Sequence, residues 1–313
     1  MADPIKWKSK YVLVKPEGAT YGTDAVPTGA ANAVLLTDVQ LQPMEGEEVS
    51  RNLELAYLGA QETFVTAVRA VLTGSFELVG SGTAGTAPSW GAMLRACGVA
   101  QIVTAGTSVE YVPVSDDHES VSVYFGIGPS RHILLGARGT AVITVNANGV
   151  PVCRVTLTGL FVLPADAARP TVDLTGFQLP QIATKANTPG LTIGGVPFVM
   201  RSYELNLGCD VQARMLIGAE RIVIVDRNET LRTTVEAVPY ATYNPYNRAL
   251  LNTRTAVALD HGTIVGKRVN VETAQAVQQR PGGIENNQNV VEWSLGFVPL
   301  PAAGNDQWKI TLT

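Results

Sequence analysis

Apolar and polar residues alternate with a period of two along much of the chain, as in "AVLLTDVQLQ" (33–42), "ESVSVYFGI" (119–127), "GTAVITVN" (139–146) and "ITLT" (310–313). Such alternation puts successive side chains on opposite faces of a pleated strand and predicts sheets with one buried face. Asn148-Gly149, between two alternating runs, predicts a hairpin through a type I′ turn, whose two central residues need positive φ. Pro281-Gly282-Gly283 predicts the matching turn later in the chain. Helical spacing is confined to two places. Trp90, Met93, Leu94 and Cys97 stand at i, i+3, i+4 and i+7 within 88–97, with Gly98 placed for a left-handed cap. Asn244 followed by Pro245 reads as an N-cap with proline in the first turn.

Order within the sequence suggests an internal duplication. Val155, Phe161 and Val162 align with Val291, Phe297 and Val298, and Val34, Leu36 and Leu41 align with Phe198, Met200 and Leu205. Pro88, Met93 and Leu94 align with Pro245, Leu250 and Leu251, and "LLGARG" (134–139) resembles "IVGKRV" (264–269). Both copies also close on Leu-Thr, at 174–175 and 312–313. The expected organisation is an N-terminal arm over 1–20, a first unit over 21–175 and a second over 176–313. Each unit is expected to be mainly β in an α+β arrangement: two antiparallel sheets, sandwich- or barrel-like, with one flanking helix.

Composition narrows the function. The hydrophobic fraction of 46% is ample for large cores, while a charged fraction of 16% leaves much of the surface to neutral side chains. That is well below the usual quarter and favours contact with other proteins. Net charge is −4, which argues against a free-standing nucleic-acid binder. Residues 1–175 carry 11 Lys and Arg against 16 Asp and Glu, a net of −5, and residues 176–313 carry 12 against 11, a net of +1. Four of the first 11 bases are Lys6, Lys8, Lys10 and Lys15, so an acidic half follows a basic arm.

Chemistry-bearing patterns are incomplete. Cys97, Cys153 and Cys209 are an odd number without metal-binding spacing and read as buried apolar residues in a reducing compartment. His118-Glu119 begins like HExxH, but Ser122 stands where the second histidine belongs; the acidic turn 116–119 reads as solvated, with a divalent ion on Asp116, Asp117 and Glu119 the alternative. "GTIVGKR" (262–268) is one residue short of a phosphate loop and has Arg268 in the Ser/Thr position, and no G-x-S-x-G occurs. The expectation is a non-enzyme without cofactor or structural metal. The N-terminus shows no apolar signal core, and no run reaches about 18 apolar residues, so membrane binding is not expected.

The order of a basic arm, Tyr21-Gly22-Thr23 with Pro27, an alternating strand, a long polar hairpin to about Glu62, a further strand, one helix and closing hairpins resembles the major tail tube proteins of long-tailed, non-contractile (siphovirus-like) bacteriophages. That resemblance implies stacked rings of six tube domains around a channel for genome DNA. Two units per chain then imply a trimeric, pseudo-hexameric ring, with a ring of six chains as the alternative. It also implies assembly in the host cytoplasm, residence in the virion tail, and tape measure, tail-tip and terminator proteins as partners, with DNA passing transiently.

Contact candidates follow from this resemblance and from charge. Tyr21, Gly22 and Thr23 begin a small, polar lead-in expected to lie on an adjoining subunit, and Trp308 belongs to the C-terminal end expected to reach a neighbour. Glu45, Glu47, Glu48 and Glu54 make the hairpin region 44–62 acidic, while Arg214, Arg221 and Arg227 make its counterpart at 209–226 more basic. Opposite charges are expected to help set ring register, against the alternative of solvated loops. A β-rich adhesin, fimbrial subunit or capsid-decorating module is the competing class; it predicts a stable monomer or small fixed oligomer.

Overall fold

The computed structural model describes residues 4–313. Its first half runs β1 (Lys10–Pro16), β2 (Ala33–Val34), β3 (Thr37–Ser50), β4 (Thr63–Glu77), α1 (Gly91–Arg95), β5 (Val99–Thr104), β6 (Ser108–Pro113), β7 (Val121–Ile127), β8 (Ser130–Asn146) and β9 (Val152–Asp166). The second half runs β10 (Gly190–Ile193), β11 (Val196–Phe198), β12 (Met200–Asn206), β13 (Cys209–Leu216), β14 (Ala219–Arg227) and β15 (Thr230–Glu236). It continues through α2 (Pro245–Leu250), β16 (Arg254–His261), β17 (Val269–Gln278), β18 (Ile284–Asn287), β19 (Val290–Pro299) and β20 (Lys309–Leu312). The fold is mainly β, sandwich-like, and antiparallel at every described pairing.

Each half contains a ladder in the same order. In the first, β3 pairs β4, β4 pairs β9, β9 pairs β8, β8 pairs β7 and β7 pairs β1. In the second, β12 pairs β15, β15 pairs β19, β19 pairs β17, β17 pairs β16 and β16 pairs β10. The short returns β1–β2 and β10–β11 also match. The ladders are joined rather than separate: Val142–Asn146 of β8 pairs Ser202–Asn206 of β12, and β20 pairs both β17 and β6. One apolar core runs through both halves, with Leu72, Leu157, Ile143, Leu205, Leu231 and Phe297 wholly buried along the shared sheet.

Several local expectations change. Part of the proposed arm, Lys10–Pro16, is a sheet strand whose Tyr11, Val12, Leu13 and Val14 are buried; residues 1–3 lie outside the described residues. Four apolar positions in "YVLV" bury both faces of a strand, which a solvated arm cannot do. At Asn148-Gly149 only Asn148 has positive φ, at +61°. The loop there is wider than a type I′ turn because Ala183 docks on it, accepting from the Asn148 amide at 2.8 Å and donating to the Gly149 carbonyl at 2.9 Å. Pro281-Gly282-Gly283 does not reverse the chain. It interrupts one extended path, since β17 before it and β18 after it both pair β19. The reversal comes at Gln288 and Asn289, both at positive φ, between paired Asn287 and Val290.

Both helices form, and both are short. In the first, Trp90, Met93, Leu94 and Cys97 are buried and Gly98 has φ +68°. In the second, the Asn244 side chain accepts from the Asn247 amide at 3.0 Å with Pro245 at the start. Leu250 and Leu251, aligned by sequence with the buried Met93 and Leu94, are 81% and 67% exposed, so that correspondence does not extend to packing. The match of 134–139 with 264–269 also fails in space. Gly139 pairs Leu157 and Gln278 pairs Phe297, placing Gly139 opposite the same part of its ladder as Gln278. The last strands share a place with Leu157 over Phe297, four positions from the sequence alignment. Leu174, matched to strand residue Leu312, lies outside any strand.

Candidate functional site, the projecting hairpins and open edges

Two hairpins project from the sheets. From Pro43 to Ser50 and from Glu62 to Val65 the β3–β4 hairpin is almost wholly exposed, and its 51–62 loop carries Leu53, Leu55, Tyr57 and Leu58 into solvent, the last fully. Met44, Val49, Phe64 and Val65 extend that apolar surface along the strands. Glu45, Glu47, Glu48 and Glu54 lie on the same projection. Glu45 pairs with Arg69 at 3.2 Å, and Glu48 accepts from the Thr63 hydroxyl at 3.4 Å. An isolated two-stranded hairpin is marginal in water, and this one carries a contiguous stretch of exposed apolar side chains at its tip. The acidic pattern was legible in sequence; the apolar tip was not singled out, although "LELAYLG" is an apolar run without a partner strand.

The β13–β14 hairpin forms its own two-stranded sheet. Its tip presents Leu216 and Ile217, and Gly218 has φ +91°, a conformation that favours glycine. Arg214 and Arg221 sit directly opposite each other in the ladder, and Arg227 stands at its base opposite Cys209. Like charges directly opposed across a ladder are unfavourable, so the basic face gains from an acidic partner. The base is held on the first half: Ile222 and Ile224 are buried, and Arg138 donates to the Ile222 carbonyl at 2.9 Å.

The start of the lead-in is hydrogen-bonded within its own chain. Tyr21 donates to the Gly136 carbonyl at 3.0 Å and accepts from the Ile222 amide at 2.6 Å, with the Arg138 guanidinium 5.1 Å from its ring centre. Burial raises the Tyr21 pKa, opposed by the Ile222 amide and Arg138. The Gly22 amide donates to Glu17, which also accepts from Ser120, Ser122 and the Gly136 amide. Thr23 is exposed beside them. Small residues permit a close approach within the chain: a Cβ at Gly29 would stand 2.2 Å from the Thr171 carbonyl oxygen.

Trp308 is likewise taken up internally, 1% exposed in the main core. Its indole N–H faces the carboxylate of buried Glu229 and favours its charged form, although neither the indole nitrogen nor Glu229 Oε1 makes a hydrogen bond of full geometry. Burial raises the Glu229 pKa, with hydrogen bonding and Arg227 acting in the opposite direction. In the acidic turn, Glu119 pairs with Arg95 and the His118 ring nitrogen lies 3.0 Å from the Val114 carbonyl. Among the described residues no cluster of three potential His, Cys, Asp or Glu ligands occurs, and no helix is long and apolar enough to cross a membrane.

The sheet also presents open strand edges. Following the pairs in order gives a sheet of eight strands, β3-β4-β9-β8-β12-β15-β19-β18. Its outer strands, β3 and β18, each pair on one side only among the described residues. Unpaired backbone on such edges is a template for another strand. Comparison with family models and with curated proteins gives no match.

Proposed function

We propose that this chain is the building block of a tube: a structural protein of a long-tailed bacteriophage virion that assembles as stacked trimeric rings around a channel for genome DNA. The carrying observation is the repeated ladder order, with two copies joined edge to edge into one eight-stranded sheet. Three chains supply twenty-four strands. At about 4.8 Å per strand and a tilt of about 40°, these close into a barrel roughly 48 Å across the backbone, wide enough for a duplex after side chains are added. Closure removes the open edges at β3 and β18.

The face of this sheet turned away from the core suits passage. It carries Thr73, Thr144, Thr156, Thr158, Thr234 and Ser294, with Glu204 directly opposite Arg232 and Arg154 as an exposed cation among them. A face mostly of short neutral side chains, with few cations, gives phosphate little to hold, whereas a basic wall would grip it. The projecting hairpins supply contacts along the tube axis. Stacking is head-to-tail, and such contacts propagate into filaments. Tape measure, tail-tip and terminator proteins are the further partners this reading requires.

Negative-stain electron microscopy of the concentrated protein, alone and with a tail-tip complex, tests the proposal. Hollow tubes or rings support it; a compact particle that stays monodisperse under both conditions contradicts it.

A further inference from the structure

The ladder between β8 and β12 is a template for a second ladder that a single chain leaves unfilled. Equivalent positions follow from shared partners. Leu41 pairs Leu72 and Leu205 pairs Leu231; Leu72 pairs Leu157 and Leu231 pairs Phe297; Leu157 pairs Gly139 and Phe297 pairs Gln278. Farther along, Cys153 pairs Ile143 and Trp293 pairs Ile284, so β18 occupies the place of the end of β8. Ile143 then pairs Leu205 on its other side, and both are wholly buried. Ile284 has no described strand on its other side and is 62% exposed, and Leu41 is only partly covered.

We infer that β3 of one chain pairs antiparallel with β18 of a second copy, with Leu41 opposite Ile284, Gln40 opposite Glu285, Gln42 opposite Gly283 and Val39 opposite Asn286. This deepens the ring-forming reading and rests on it. The Leu41–Ile284 pair repeats the buried Leu205–Ile143 pair, so the contact is continuous with the seam already present inside the chain. Satisfying both edges within one chain is ruled out by reach: β3 and β18 end opposite sides of an eight-stranded sheet, a width of roughly 34 Å. The Val39 carbonyl meanwhile accepts from Lys10 Nζ at 3.2 Å. A flexible ammonium thus covers part of the edge, and a partner's amide would replace it, which fits the use of lysine to guard open edges.

Cysteines at one facing pair test the register. Gln40→Cys combined with Glu285→Cys is expected to form disulfides from chain to chain under mild oxidation and to stop at three chains on a non-reducing gel, while each single variant gives no such series. Tubes that form without this cross-link, or that cross-link only through Gln42→Cys with Glu285→Cys, overturn the register and leave the tube reading standing. Cross-linked trimers that never stack keep the ladder and contradict the tube. A chain that remains monomeric and uncross-linked contradicts both. Hydrogen exchange on the unsubstituted protein gives the same answer independently of the variants' folding: amides over 39–42 and 283–286 gain protection on assembly, and no gain in assembled rings overturns the ladder.

Discussion

Tyr21 and Ile222, two hundred and one positions apart, are joined by a 2.6 Å hydrogen bond from the Ile222 amide to the Tyr21 hydroxyl. The same hydroxyl reaches Gly136, so one side chain ties the lead-in and β8 to the base of the second hairpin. Tyr21→Phe leaves a buried amide without its acceptor. We expect a loss of about 1–3 kcal/mol in urea unfolding, with faster exchange of the Ile222 amide. Unchanged exchange at that amide would show that the bond does not hold the hairpin.

The tip of the first hairpin makes the opposite prediction. Leu58 is fully exposed and Tyr57 is 72% exposed, so Leu58→Ser with Tyr57→Ser should change the unfolding free energy of the isolated chain by no more than about 0.5 kcal/mol. Stacking should fall at least tenfold, read as the concentration needed for tube formation. Normal tubes from the double variant would remove the tip from the axial contact.

Charge complementarity between hairpins can be separated from folding. Reversal by Glu47→Lys with Glu48→Lys should weaken ring assembly, less so as salt is raised, and Arg214→Glu with Arg221→Glu should restore it. The single change Arg221→Glu also removes a like-charge pair, worth a few tenths of a kcal/mol to the hairpin. Assembly indifferent to reversal at Glu47 and Glu48 would eliminate the charge-register idea.

Glu229 gives a pH prediction with a definite sign. Burial raises its pKa in the folded chain above the ordinary 4.5, so the folded state holds this proton more tightly than the unfolded state does. Its contribution to stability is therefore full below the ordinary value and lost as pH rises through the folded value. Glu229→Gln should melt higher than the parent at pH 7, with the gain shrinking at pH 3. An equal gain at both pH values would assign the effect to something other than ionisation.

Period-two alternation revealed the sheets because each strand of the central ladder buries one face, as Tyr203 and Leu205 do beside the outward Glu204. One helix start and one helix end were legible because Asn244 and Gly98 act through local backbone chemistry. Long-range placement was not. Nothing local in "YGT" says that Tyr21 will find the Ile222 amide, and nothing around Trp308 distinguishes core from interface. The Asn148-Gly149 turn was widened by Ala183, a partner distant in sequence. Ladder register was missed at the closing strands because a four-position shift keeps the same residues on the same face, so alternation alone does not detect it.

Helical reconstruction of assembled particles by electron cryomicroscopy tests the central claim most directly. The account predicts threefold rings, each chain contributing eight adjacent strands to a continuous twenty-four-stranded wall, with β3 of one chain beside β18 of the next. Rings of six chains, or a wall in which those two strands lie apart, would contradict it.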